Sequence, residues 1–118
     1  MKIRIKGNFL RYRLTRTDVE LFAKTGQLAE HTDFGDQTLI YSLQRASGTQ
    51  ISATFKDNQI TVFMPAAMAD EWTSTERVGF EGMYGHLHLL IEKDFKCLDD
   101  VAEDQSDNYP NPLAAGKD

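Results

Sequence analysis

The first fourteen residues carry the pattern that most restricts how this chain can fold. Apolar and charged side chains alternate on both sides of Gly7-Asn8, which is typical of two antiparallel strands joined by a two-residue turn. In the register that this turn sets, Arg4 lies opposite Arg11 and Lys2 lies opposite Arg13, an unfavourable arrangement unless an anionic group lies beside them. One predicted face is apolar, with Ile3, Ile5, Leu10 and Tyr12. The other, which we name the basic face, carries Lys2, Arg4, Lys6, Arg11 and Arg13.

The rest of the chain predicts further strands, most of them joined by short turns. They cover residues 27–34, 38–45, 50–56, 59–64, 76–82 and 86–97. The clearest hairpin turns at Asp57-Asn58 and is rich in β-branched and aromatic residues. The last hairpin is predicted to turn across residues 83–85. Residues 27–34 alternate poorly, so we expect them to form an edge strand.

Two short helices are predicted between the strands. Thr17 and Glu20 have the spacing of a capping box, and Gly26 suits the end of the same helix. Pro65 opens a second helix that contains Trp72, at a position where the missing N–H of proline costs little. Helices this short are not stable alone in water, so their apolar sides must pack on the sheet.

These elements predict a mainly β protein of the α+β class. We expect antiparallel hairpins that form a curled sheet or a small barrel of about eight strands with two short helices. Residues 1–98 are predicted to form a single domain. Residues 99–118 are acidic and contain prolines, so they are predicted to be a C-terminal tail without regular structure. The sequence shows no internal repeat.

Charge is unevenly distributed along the chain. The formal net charge of -5 argues against general nucleic-acid binding, because general nucleic-acid binders are usually basic. Residues 1–16, however, hold six basic and no acidic side chains, whereas residues 92–107 hold seven acidic side chains against two lysines. The two ends of the predicted domain are therefore oppositely charged.

The basic face has two interpretations. It is a candidate site for a small anionic ligand or an acidic protein partner, formed by Lys2, Arg4, Lys6, Arg11 and Arg13, because arginine binds carboxylate and phosphate groups through two hydrogen bonds. Alternatively, these cations pair within the protein, either with Glu81, Glu92 and Asp94 on neighbouring strands or with the acidic tail. The sequence leaves both interpretations open.

Other candidate sites are weaker. His86, His88 and Glu92 share one parity on a predicted strand, but a metal site needs three or four convergent ligands, so we expect no metal site and no cofactor. Cys97, the single cysteine, is expected to be a small buried residue and indicates a reducing compartment.

The chain shows no secretory signal and no apolar run long enough to span a membrane, so we expect a cytoplasmic protein without membrane contact.

Two stretches near the ends resemble a family of small uncharacterised bacterial proteins. They are KIRIKGNFLRYRLTRTDVE at the start and EKDFKCL followed by DNYPNP near the end. The resemblance extends from Lys2 to Pro112. It implies a bacterial single-domain protein without assigned activity, and it implies that the segment around Pro110 belongs to the domain.

A looser likeness is to the triphosphate tunnel enzymes, small antiparallel barrels that bind triphosphate through metal. Their opening strand carries E-x-E-x-K, whereas this chain has Lys2-x-Arg4-x-Lys6, which removes the expected metal ligands. The sequence therefore favours a non-enzymatic binding or interaction module that uses the basic face. The alternative is an anion-binding enzyme of the triphosphate-tunnel type, acting on phosphate esters or polyphosphate.

Overall fold

Eight strands and two helices make up the part of the chain that the computed structural model describes, residues 1–95 and 106–110. In chain order they are β1 (Lys2–Lys6), β2 (Phe9–Leu14), α1 (Arg16–Thr25), β3 (Gln27–Asp33), β4 (Thr38–Ala46), β5 (Ser52–Lys56), β6 (Gln59–Pro65), α2 (Ala66–Ser74), β7 (Gly79–Tyr84) and β8 (Leu87–Lys93). The prediction of a mainly β protein with two short helices is confirmed.

The strands form two four-stranded sheets. The first sheet has the order β1-β2-β8-β7, and the second has the order β3-β4-β6-β5. Each hairpin is antiparallel, as predicted, but β2 runs parallel to β8 and β4 runs parallel to β6. Both sheets are therefore mixed rather than wholly antiparallel, and they do not close into a barrel. The parallel contacts arise because each sheet joins two hairpins through their second strands.

The chain contains a structural repeat that its sequence does not show. The order β-β-α-β-β occurs twice, first from β1 to β4 and then from β5 to β8. The first hairpins of the two halves have equivalent registers, from Lys2↔Arg13 to Lys6↔Phe9 and from Ser52↔Phe63 to Lys56↔Gln59. The repeat lies in the order and register of the elements and not in the residues themselves. The side chains differ between the two halves. A strand in a sheet requires apolar side chains at alternate positions, but many different residues can meet this requirement.

The core lies between the inner faces of the two sheets and is closed at one end by the helices. Tyr12 is fully buried, and its hydroxyl donates across the core to the carbonyl oxygen of Ile60 at 3.4 Å. Phe22 of α1 meets Trp72 of α2 edge to face, with the ring centroids 6.2 Å apart. Since α1 and α2 directly follow β2 and β6, the hairpin turns of these strands lie at the opposite end of the molecule. The apolar face predicted for the first hairpin faces inward at Ile3, Leu10 and Tyr12, whereas Ile5, near the turn, is 58% exposed.

Helix α1 begins two residues earlier than the capping box predicted. Thr15 is the N-cap: its side chain accepts from the backbone N–H of Asp18 at 3.3 Å, and the Asp18 side chain accepts from the N–H of Thr15 at 3.1 Å. The Thr17 and Glu20 pair has the same spacing but lies inside the helix. The prediction for the other end is confirmed, because Gly26 adopts a left-handed conformation with φ of 77°.

The last hairpin turns at Gly85-His86, not across residues 83–85. Gly85 has a φ of 61°, which glycine adopts without steric cost, and Tyr84 pairs with Leu87 directly before and after the turn. In this register Gly79 lies opposite Glu92.

Part of the predicted acidic tail contacts the domain. The N–H of Tyr109 donates to the carbonyl oxygen of Asp94 at 2.9 Å, and the N–H of Arg16 donates to the carbonyl oxygen of Asp107 at 3.0 Å. Within residues 106–110, then, the chain lies against the end of β8 and the start of α1 rather than over the basic face. The domain boundary predicted at residue 98 and the single Cys97 lie outside the described residues.

Candidate functional site

The basic face is the outer surface of the first sheet. The predicted register of β1 and β2 is confirmed, so all five cations project from the side opposite the buried Leu10 and Tyr12. Strand β8 lies next to β2, with Arg13 opposite Glu92. The parallel contact thus places carboxylates of β8 directly beside the basic side chains.

Three of the five cations pair with these carboxylates. Arg11 contacts Glu92, with its Nε donating to Oε1 at 2.5 Å, and Arg13 lies between Glu92 and Asp94 at 3.6 and 3.4 Å. Lys2 Nζ lies 2.9 Å from Asp94 Oδ2. Pairing within the protein, one of the two interpretations of the sequence, therefore holds for this half of the face.

Asp94 is the most deeply buried of these groups. It is only 2% exposed, although it carries a charge, and its backbone N–H donates to the carbonyl oxygen of Leu14 at 2.8 Å. A buried carboxylate is stable only with close cationic or hydrogen-bonding partners. Lys2 and Arg13 are consequently needed where they are, because they compensate Asp94.

Arg4 and Lys6 form the other half of the basic face and, unlike the three paired cations, make no ion pair with β8. Both are exposed, and neither has a carboxylate partner within residues 1–95 and 106–110. Together with Phe9 and Arg11 they line a shallow cavity of about 300 Å³. We name this cavity the Arg4–Lys6 corner. It combines two uncompensated cations with one aromatic ring, and it is the part of the basic face that is open to an external anion.

The histidines do not contribute to a common site with Glu92. His86 lies in the β7–β8 turn, His88 Nε2 lies 2.9 Å from Glu81 Oε2, and Glu92 is engaged by Arg11. Among the described residues, no three His, Cys, Asp or Glu side chains are grouped in a way that could hold a metal ion. The shared parity of His86 and His88 had suggested a common face, but the turn separates them.

Phe9 is a member of the site that the sequence reasoning did not single out. Its ring lies 4.6 Å from that of His88 and forms an apolar wall of the Arg4–Lys6 corner. The signal was present, since the predicted register already placed Phe9 opposite Lys6 on the basic face. An aromatic residue on an otherwise charged strand face is unusual enough to be a useful pointer.

Replacing Glu92 with glutamine tests how far the carboxylates of β8 limit anion binding by the basic face. Glu92→Gln leaves Arg11 without its ion pair and Arg13 with Asp94 alone, so we expect a loss of about 1–2 kcal/mol in the free energy of unfolding. Because the face becomes more positive, we also expect tighter binding of inorganic triphosphate. Thermal melts with and without triphosphate measure both effects. Glu81→Gln is the matched control, since it removes a carboxylate from the same face without freeing an arginine; an equal gain in that variant would contradict the assignment.

Comparison with known proteins gives a family but no activity. Residues 1–113 match the model of DUF7009, a family of unknown function, and the chain belongs to this family. No curated protein and no solved structure matches the chain. None of the helices within the described residues is long and apolar enough to cross a membrane.

Proposed function

We propose that this member of the family is a non-enzymatic binding module that recognises an acidic segment of a protein partner at the Arg4–Lys6 corner. The observation that carries the proposal is the division of the basic face. Lys2, Arg11 and Arg13 are neutralised by β8, whereas Arg4 and Lys6 are exposed and have no carboxylate partner in the described part of the chain. These two cations are thus free to bind an anion supplied from outside.

The spacing of the two cations fits an extended acidic segment. Arg4 and Lys6 are two residues apart on one strand, so their side chains leave the same face roughly 7 Å apart. Carboxylates at alternate positions of an extended peptide repeat at the same distance. Strand β1 is also an edge of its sheet, a position that extended peptides commonly approach. A partner segment with acidic side chains at alternate positions is therefore the best match.

The structural repeat supports a functional origin for the charges. The second half of the chain builds the same hairpin from β5 and β6 with almost no basic residues. Lys2, Arg4, Arg11 and Arg13 correspond there to Ser52, Thr54, Thr61 and Phe63, and only Lys6 has a basic counterpart, Lys56. Because Lys2, Arg11 and Arg13 have carboxylate partners on β8, the comparison bears on Arg4: the hairpin folds without a cation at this position, and the charge of Arg4 is available for another purpose.

The proposal is tested with a short peptide in which glutamate alternates with serine. We expect Arg4→Gln with Lys6→Gln to weaken binding of this peptide roughly tenfold, because exposed charge contacts contribute up to about 1 kcal/mol each. Binding should also weaken with added salt. Isothermal titration at two salt concentrations measures both effects.

The chain offers a matched control for this experiment. Lys24→Gln with Lys56→Gln removes the same total charge from exposed positions elsewhere, including the counterpart of Lys6. If this control weakens binding as much as the Arg4 and Lys6 variant, general electrostatic attraction explains the result and the site is wrong. A peptide with glutamine in place of glutamate should not bind, and stronger binding of inorganic triphosphate than of the peptide would favour a small anionic ligand.

The runner-up function is an enzyme of the triphosphate-tunnel type that acts on phosphate esters or polyphosphate. Such an enzyme needs carboxylates that are available to hold metal beside its cations. Glu92 and Asp94 are the nearest candidates, and both are engaged by arginine or lysine. The geometry therefore supports binding better than catalysis.

We further propose that this binding takes place in the cytoplasm of a bacterial cell. The single Cys97 supports a reducing compartment, because a protein built for an oxidising one commonly uses disulfides. The sequence resemblance to small bacterial proteins supports the source. Fractionation of cells that express a tagged chain tests the location.

A further inference from the structure

Lys93 is a cation outside the basic face, and its side chain is buried. Lys93, near the end of β8, is 5% exposed, and its Nζ donates to the carbonyl oxygen of Thr75 at 2.7 Å. No carboxylate of the described residues lies within ion-pair distance of it. Burial lowers the pKa of Lys93, and the negative charge of Glu76 only partly opposes this effect. A desolvated ammonium group with one neutral acceptor is an incomplete arrangement.

Lys93 lines a cavity of about 490 Å³ at the helical end of the molecule. Arg16 contributes a second cation to its wall, Glu76 contributes a carboxylate, and Phe95 and Tyr109 contribute apolar surface. The Tyr109 ring lies between the two cations, with its centroid 5.5 Å from Lys93 Nζ and 5.6 Å from Arg16 Cζ. The size lies in the range of cavities that hold small organic ligands.

The structural repeat offers an internal comparison. Arg45 is the counterpart of Lys93, since Arg45 N–H donates to the carbonyl oxygen of Gly26 as Lys93 N–H donates to that of Val78. Arg45 pairs through both guanidinium nitrogens with Asp70 of α2. The counterpart of Asp70 is Glu20 of α1, which is exposed and makes no ion pair with Lys93 in the described structure. The site of Arg45 is neutralised by an ion pair, whereas Lys93 has no ion pair within the described residues.

We propose that the cavity bounded by Lys93, Arg16 and Tyr109 binds a small organic monocarboxylate. The carboxylate completes the partners of the Lys93 ammonium, and Arg16 supplies a second contact at the entrance. The apolar body of the ligand lies against Phe95 and Tyr109. A monocarboxylate fits better than a phosphate, because Lys93 and Arg16 supply two positive charges and Glu76, which also lines the cavity, supplies one negative charge. One added negative charge balances this set, whereas a dianion would leave an excess charge to be desolvated.

Benzoate is the probe that tests this site, and benzamide is its neutral counterpart. We expect benzoate to bind the full chain at millimolar concentration, with NMR shift changes centred on Lys93 and Tyr109, and benzamide to bind at least tenfold more weakly. Lys93→Met removes the charge but keeps much of the side-chain length, so benzoate affinity should fall at least tenfold. Because the substitution removes a desolvated charge, the melting temperature should stay the same or rise.

Two further variants separate binding at Lys93 from general electrostatic attraction. Lys24→Met removes an exposed lysine of α1 and should leave benzoate binding unchanged, whereas Arg16→Gln should weaken it severalfold with Lys93 still present. The proposal is overturned if benzoate fails to bind at 10 mM, on the order of the weakest useful affinities, or if Lys93→Met binds it as the unaltered chain does. It is also overturned if the shift changes centre on Arg4 and Lys6, since benzoate would then report only on the basic face.

Discussion

Trp72→Ala is expected to destabilise the protein by about 3–5 kcal/mol, the range for removing a large aromatic side chain from a core. Trp72 is completely buried, its ring packs edge to face on Phe22, and its Nε1 donates to the carbonyl oxygen of Val78 at 2.9 Å. The substitution therefore leaves a cavity between the two helices and removes one of the two hydrogen bonds that the carbonyl oxygen of Val78 accepts. Such a loss is a large part of the stability of a domain of this size.

Thermal or urea unfolding followed by circular dichroism measures this effect. Phe55→Ala is the matched control, because it also removes an aromatic ring but from a side chain that is 73% exposed. We expect the control to change stability by less than about 1 kcal/mol. Equal losses in the two variants would show that the contact between α1 and α2 does not hold the two halves together.

Gly79→Ala is expected to cost about 3 kcal/mol or more through overpacking, although it adds only one methyl group. A Cβ at this position would lie 2.2 Å from the carbonyl oxygen of Ile91 and 2.8 Å from Cβ of Glu92. The first of these is a backbone atom of the neighbouring strand, so it cannot rotate away. We expect β7 to separate from β8 at this end, which would also disturb Glu92 and its pairing with Arg11.

Gly82→Ala on the same strand is the control, since a Cβ there meets no atom within 4 Å. Its stability should be unchanged or slightly raised, because alanine restricts the unfolded chain more than glycine does. Melting temperatures of the two variants, compared with binding of the acidic peptide, test the steric argument and its link to the site. If Gly79→Ala and Gly82→Ala melt at the same temperature, the prediction that β7 and β8 approach too closely at Gly79 for a Cβ is wrong.

Local signals in the sequence accounted for the hairpins. Gly7 and the Asp57-Asn58 pair both adopt positive φ, which fixes a tight turn and hence the register of every pair that follows it. The same reasoning erred at the last hairpin, where the single Gly85 was compatible with more than one turn position. It also erred at α1, where two overlapping capping boxes were present and the end of β2 at Leu14 decided between them.

The sequence by itself determined that this chain forms hairpins with one strongly basic face, because alternation and turn residues act over a few positions. Only the tertiary structure decided which cations of that face pair within the protein. Arg11 and Glu92 are 81 residues apart in the chain, and they meet because β2 lies parallel to β8. That contact depends on the packing of distant hairpins around a shared core, for which no local pattern codes. It neutralises Lys2, Arg11 and Arg13 and leaves Arg4 and Lys6 exposed at the corner of the sheet.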